Sequence, residues 1–119
     1  MAVPASATPS TGAAVVKPGC TTVANQPCAW LERDGGSVTG LAHVAAPDPG
    51  QLTLARVEIK VQRAWGKPWE TVASSTLVRA GSIQLATPKI TTDFRVIVCA
   101  TGGPALDATL QASTCTSPF

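Results

Sequence analysis

The chain has 119 residues, 13% charged and 45% hydrophobic, with a formal net charge of +2. That length sets one domain with a modest core, and so small a charge gives no electrostatic footprint for nucleic acid or for a membrane surface. No apolar run approaches the ~20 residues that a bilayer-spanning helix needs.

Residues 1–18 divide from the rest by composition. Ala2 to Gly12 is Ala-, Pro-, Ser- and Thr-rich without periodicity and reads as a flexible arm; Ala5-Ser6-Ala7 is also compatible with the small-residue end of an export signal. Ala13 to Lys17 suits a short edge strand, broken by Pro18-Gly19. A β-domain is expected over 19–119.

The first strand of that domain is expected at Cys28-Ala29-Trp30-Leu31-Glu32-Arg33. Asp34-Gly35-Gly36 follows as a hairpin turn, because glycine accepts a positive φ. Ser37 to Ala45 places Val38, Ala42 and Val44 on one face, and Pro47-Asp48-Pro49-Gly50 is a further turn. Leu52 and Leu54 have even parity while Val57, Ile59 and Val61 are odd, so a register slip is expected near Ala55-Arg56. Val57 to Arg63 alternates strictly, the pattern of a strand with one face buried.

Trp65-Gly66-Lys67-Pro68 punctuates the chain before a strand over Trp69 to Leu77. Ala80-Gly81 turns into Ser82 to Ala86, with Ile83 and Leu85 facing one way. Phe94 to Ala100 is β-branched and nearly apolar throughout, as a central strand would be. Thr101-Gly102-Gly103-Pro104 reads as a turn. Leu106, Ala108, Leu110 and Ala112 read as a last alternating strand. Seven short strands at regular spacing, with no helical period, predict an all-β, antiparallel two-sheet sandwich.

Cys20, Cys28, Cys99 and Cys115 form an even set without a C-x-x-C pair or a histidine cluster. Two disulfides in an exported protein are expected, and no metal site. Two pairings stand. Cys20–Cys28 with Cys99–Cys115 closes two short loops. If 94–100 and 107–115 form one hairpin, however, Cys99 and Cys115 lie about 20 Å apart at ~3.3 Å per residue, against the ~5.5 Å that a disulfide spans. Cys28–Cys99 with Cys20–Cys115 would instead staple both termini.

From Ser37 to Ala100 the chain resembles immunoglobulin-like or fibronectin type III-like domains of secreted, actinobacterial-type bacterial proteins. The resemblance is carried by Val57-Glu58-Ile59-Lys60-Val61-Gln62-Arg63, the Gly66 turn, Trp69-Glu70-Thr71-Val72-Ala73, the Gly81-Ser82 turn and Phe94-Arg95-Val96-Ile97-Val98. It implies that Trp69 packs in the core. Phe94-Arg95-Val96 stands where such domains often carry Tyr-Arg-Val. Because the chain has no tyrosine, a tyrosine-corner hydrogen bond is impossible. What the resemblance implies for function is an immunoglobulin-like scaffold that binds, links or spaces and seldom catalyses.

The residues agree with a non-enzyme. His43 is the single histidine, no G-x-S-x-G elbow surrounds any serine, and His43 is expected to face solvent. The carboxylates are scattered and predict no catalytic pair. No cofactor signature is present. Trp65, flanked by Arg63 and Lys67, is the best binding patch, since an exposed indole beside cations suits a sugar ring or a protein surface. Trp30 is expected to pack on a disulfide. The chain is thus expected to be a secreted, non-catalytic binding or spacer module acting on a protein or carbohydrate at the cell surface. A small inhibitor of an extracellular hydrolase, working through a braced loop at Asp34-Gly35-Gly36 or 101–105, is the alternative.

Overall fold

The computed structural model describes Cys20 and residues 23–119, so the arm and the edge strand expected at 13–17 lie outside the described residues. Among the described residues eight strands run in chain order: β1 (Pro27–Asp34), β2 (Ser37–Val44), β3 (Leu52–Gln62), β4 (Trp69–Ala80), β5 (Ile83–Ala86), β6 (Ile90–Thr91), β7 (Arg95–Pro104) and β8 (Ala112–Cys115). A 3-10 turn, Ala108–Leu110, precedes β8. Sheet A is ordered β1-β2-β5 with β6 also on β2, and sheet B is ordered β4-β3-β7-β8. Every pairing is antiparallel. Two such antiparallel sheets, connected in this crossed order, make a β-sandwich.

Burial follows the alternation. Val38, Ala42 and Val44 from β2 and Ile83 and Leu85 from β5 meet Ala55, Val57, Ile59 and Val61 from β3 and Val96, Val98 and Ala100 from β7. The hairpin at Gly35-Gly36 forms as expected, with Asp34 opposite Ser37. The 47–50 turn also forms, closed by Gly50 N–H donating to Asp48 Oδ1 at 2.9 Å. Where β2 passes from β6 to β5, Thr87 fills the gap in the ladder. Its hydroxyl accepts from Gly40 N–H at 3.0 Å and donates to Pro88 O at 2.9 Å.

Three expectations are corrected. The register slip near Ala55-Arg56 does not occur, because the odd residues of β3 face inward from Thr53 onward and Leu52 and Leu54 face outward. Thr53 is tolerated in the core because its hydroxyl accepts from Gln51 Nε2 at 3.2 Å. The irregularity lies instead in β4: Ile59 pairs with Ala73 and Lys60 with Thr71, leaving Val72 as the extra residue of a bulge.

Second, 101–104 is strand and not turn. Gly102 is buried against β2, where an added Cβ would collide with the Val44 side chain and lie 3.0 Å from Leu54 O. Gly102 therefore permits close packing between the sheets, while Gly103 lets the 110–111 backbone approach β7. Third, the strand expected at 106–112 is a loop with the 3-10 turn, capped by Asp107 Oδ1 accepting from Thr109 N–H at 3.1 Å.

These last two shifts decide the disulfides. With β7 running to Pro104 and β8 starting at Ala112, Cys115 falls directly opposite Cys99, and the 20 Å objection disappears. The bridges are Cys20–Cys28 and Cys99–Cys115, with Cα separations of 5.5 and 4.0 Å. The alternative stapling of the termini is ruled out, and no described cysteine is free.

Candidate functional site

The candidate site is built at one end of sheet B, where β3 turns into β4 and β7 begins. Gln62, Trp69 and Arg95 are register partners on three adjacent strands and share the outward face. The turn is closed by Lys67 N–H donating to Ala64 O at 3.0 Å, with Gly66 at φ 81°. That left-handed conformation favours glycine. Gln62 fixes the turn to the sheet twice: its Nε2 donates to Lys67 O at 2.9 Å, and its Oε1 accepts from Arg95 Nη1 at 2.8 Å.

Arg95 then carries the aromatic surface. Its guanidinium carbon lies 4.8 Å from the Trp65 ring centroid and 5.7 Å from that of Trp69. Arg63 lies 5.2 Å from the Phe94 ring and pairs through Nε with Glu70 Oε2 at 3.0 Å. Guanidinium planes stack on aromatic faces without giving up all their N–H donors. Two cation–ring groups, Arg95 with Trp65 and Trp69 and Arg63 with Phe94, thus stand at one end of sheet B, with Lys67 exposed on the same turn.

Trp65 is 84% exposed. An indole held by a stacked cation rather than by burial keeps most of its surface for solvent or a ligand. Of the sequence-predicted patch, Arg63, Trp65 and Lys67 all lie on this turn. Arg95, Trp69 and Phe94 were missed. Trp69 was expected in the core, but its pairing with Gln62 turns it outward, and the bulge at Val72 sets that register. Phe94 was expected inside a central strand and instead precedes β7, 41% exposed. The signal was present as Phe94-Arg95, an aromatic–cation dipeptide like Arg63 and Trp65. Only the β3–β7 pairing could show that the two lie side by side.

Other candidate residues have structural roles. His43 lies on the outward face of β2 but is half-buried there: its Nδ1 is buried without a hydrogen-bond partner, and burial lowers its pKa below the usual 6.5. Glu58 pairs with Arg56 at 3.2 Å and Asp34 with Lys89 at 3.2 Å. Asp48 and Asp107 close turns. Trp30 is 4% exposed, two residues along β1 from Cys28 and on the same face. Among the described residues no group of three or more His, Cys, Asp or Glu is placed to hold a metal ion. No described helix is long and apolar enough to cross a membrane. Two formed disulfides fit an oxidising environment.

No protein-family model, curated protein or solved structure matches this chain. The functional reading therefore rests on the site alone.

Proposed function

We propose that the protein is a secreted, non-catalytic binding module whose ligand sits on the Trp65 platform. The observation that supports this is an 84%-exposed indole stacked on Arg95, with Arg63 and Lys67 exposed on the same turn. A saccharide fits it best. The C–H face of a pyranose lies flat on an indole, and the free guanidinium and ammonium donors reach ring hydroxyls or a carboxylate. A bacterial cell-surface glycan is the natural source, in keeping with the oxidised cysteines and the β-sandwich scaffold.

The test is a panel of neutral and uronate-containing polysaccharides, read by binding and by quenching of tryptophan fluorescence. The expected result is binding to at least one member that Trp65→Ala weakens by about tenfold or more, a change of ~1.4 kcal/mol. Equal binding by the variant and the parent protein would remove the platform from consideration. Binding instead to a cell-surface protein, lost in the same variant, would keep the platform and change the ligand.

A further inference from the structure

The second feature that asks for a partner is backbone, not side chain. Among the described residues β4 ends sheet B and pairs only with β3, so no described strand covers the other edge of this 12-residue strand. The sandwich's other edge strands are β8 with four residues, β5 and β6 with four and two, and β1 with eight. Long edges are ordinarily blunted by charge, proline or a bulge, because their free N–H and C=O groups template pairing with another strand. From Thr71 to Val78, β4 has no charged residue, proline or glycine. Its single blunting device is the bulge at Val72, which leaves 73–80 regular.

We infer that β4 pairs edge to edge, antiparallel, with β4 of a second copy of this chain. The strand's own pattern selects that occupant. Val72-Ala73-Ser74-Ser75-Thr76-Leu77-Val78 reads alike in both directions about Ser75, so an antiparallel two-fold sets small polar against small polar and apolar against apolar residues. An axis at Ser75 sets Ala73 opposite Leu77 of the second copy and Ser74 opposite Thr76. It also brings the exposed Val72 beside the exposed Val78. Ala73 and Leu77 already pack on the core, so the pairing continues an apolar stripe from one sandwich into the next.

The geometry has a functional consequence. A two-fold axis perpendicular to the joined sheet keeps both outer faces on one side. The two copies of Trp69 then lie roughly 35 Å apart at ~3.4 Å per residue, with the two Trp65 tips at the far ends. A dimer of this form is bivalent, and a repetitive ligand would be held with gain in avidity. The pairing itself stands independently of the platform.

The experiment is sedimentation equilibrium of the full chain from micromolar to millimolar, with amide hydrogen exchange of β4. A mass of twice 12.1 kDa and slowed exchange along 72–79 are expected. Ser74→Lys with Thr76→Lys sets lysines against lysines across the axis while Glu58 stays beside residue 74. It should raise the dimer dissociation constant about tenfold or more. Ser74→Glu with Thr76→Glu should do the same, and an equimolar mixture of the two doubles should restore the dimer. Circular dichroism identifies a variant that has failed to fold, in which case Val72→Lys replaces it. A parent chain that stays monomeric to millimolar overturns the inference, as does a dimer that survives the lysine doubles. Trp65→Ala should leave the dimer intact, so failure of the platform and failure of the edge are read separately.

Discussion

Trp30 and Trp65 both face away from the sandwich core, yet one is 4% exposed and the other 84%. Trp30 lies mid-strand on the outer face of sheet A, in register with Leu41 and Ala86, two residues along from Cys28 of the Cys20–Cys28 bridge. Trp65 lies past the end of β3 on a four-residue turn and touches the body of the protein through a stacked arginine. The same side chain therefore serves stability in one region and recognition in the other. What separates the regions is the packing around each indole, not its hydrophobicity.

The difference is sharpest in the free energy of unfolding. Trp30→Ala should cost about 3–5 kcal/mol by denaturant titration, the usual range for emptying a buried tryptophan site. A loss under 1 kcal/mol would mean that the outer face of sheet A is not closed. Replacing both Cys99 and Cys115 by serine should cost ~3 kcal/mol, since the bridge spans 16 residues. The same change at Cys20 and Cys28, which span 8, should cost roughly 0.6 kcal/mol less. Equal or inverted losses in thermal scans would show that strain or packing, not loop length, sets their worth.

Gly102→Ala probes the layer between the two faces and should destabilise by ~1–3 kcal/mol, because β2 would have to move away from β7. A neutral effect would contradict the close packing at Val44.

His43 gives the comparison a pH axis. Its folded pKa lies below the unfolded value of 6.5, so between those two values the unfolded chain binds more protons than the folded one. Stability should therefore be full above the unfolded value, decline as pH falls below it, and level off once the folded pKa is passed. His43→Leu should flatten that dependence in melting curves from pH 7.5 to about 5. An unchanged slope would assign the acid sensitivity elsewhere. The smallest expected effect is that of Trp65→Ala on stability, at most ~0.5–1 kcal/mol from the lost stacking.

The amino-acid pattern alone carried most of the sandwich. Val57 to Val61, Ile83 with Leu85 and Val38 to Val44 all bury the side that alternation selects, and Gly35-Gly36 turns where it should. It misled where local chemistry overrode parity. Thr53 is buried because Gln51 satisfies its hydroxyl, Gly102 reads as a turn but serves close packing, and Leu106 and Leu110 alternate within an exposed loop. Of the platform, Arg63, Trp65 and Lys67 are contiguous and were legible. Arg95, the residue that holds the indole, joins them only through the pairing of Gln62 with Arg95 across β3 and β7. A one-residue bulge at Val72 accounts for Trp69, and no sequence period reports a bulge.

The most direct test is to titrate the polysaccharide panel against the parent chain and Trp65→Ala side by side, with the melting temperature of each recorded in the same buffer. The account predicts affinity lost about tenfold or more with the melting temperature nearly unchanged. Undiminished affinity in a folded variant, or a variant that unfolds as readily as Trp30→Ala, would contradict it.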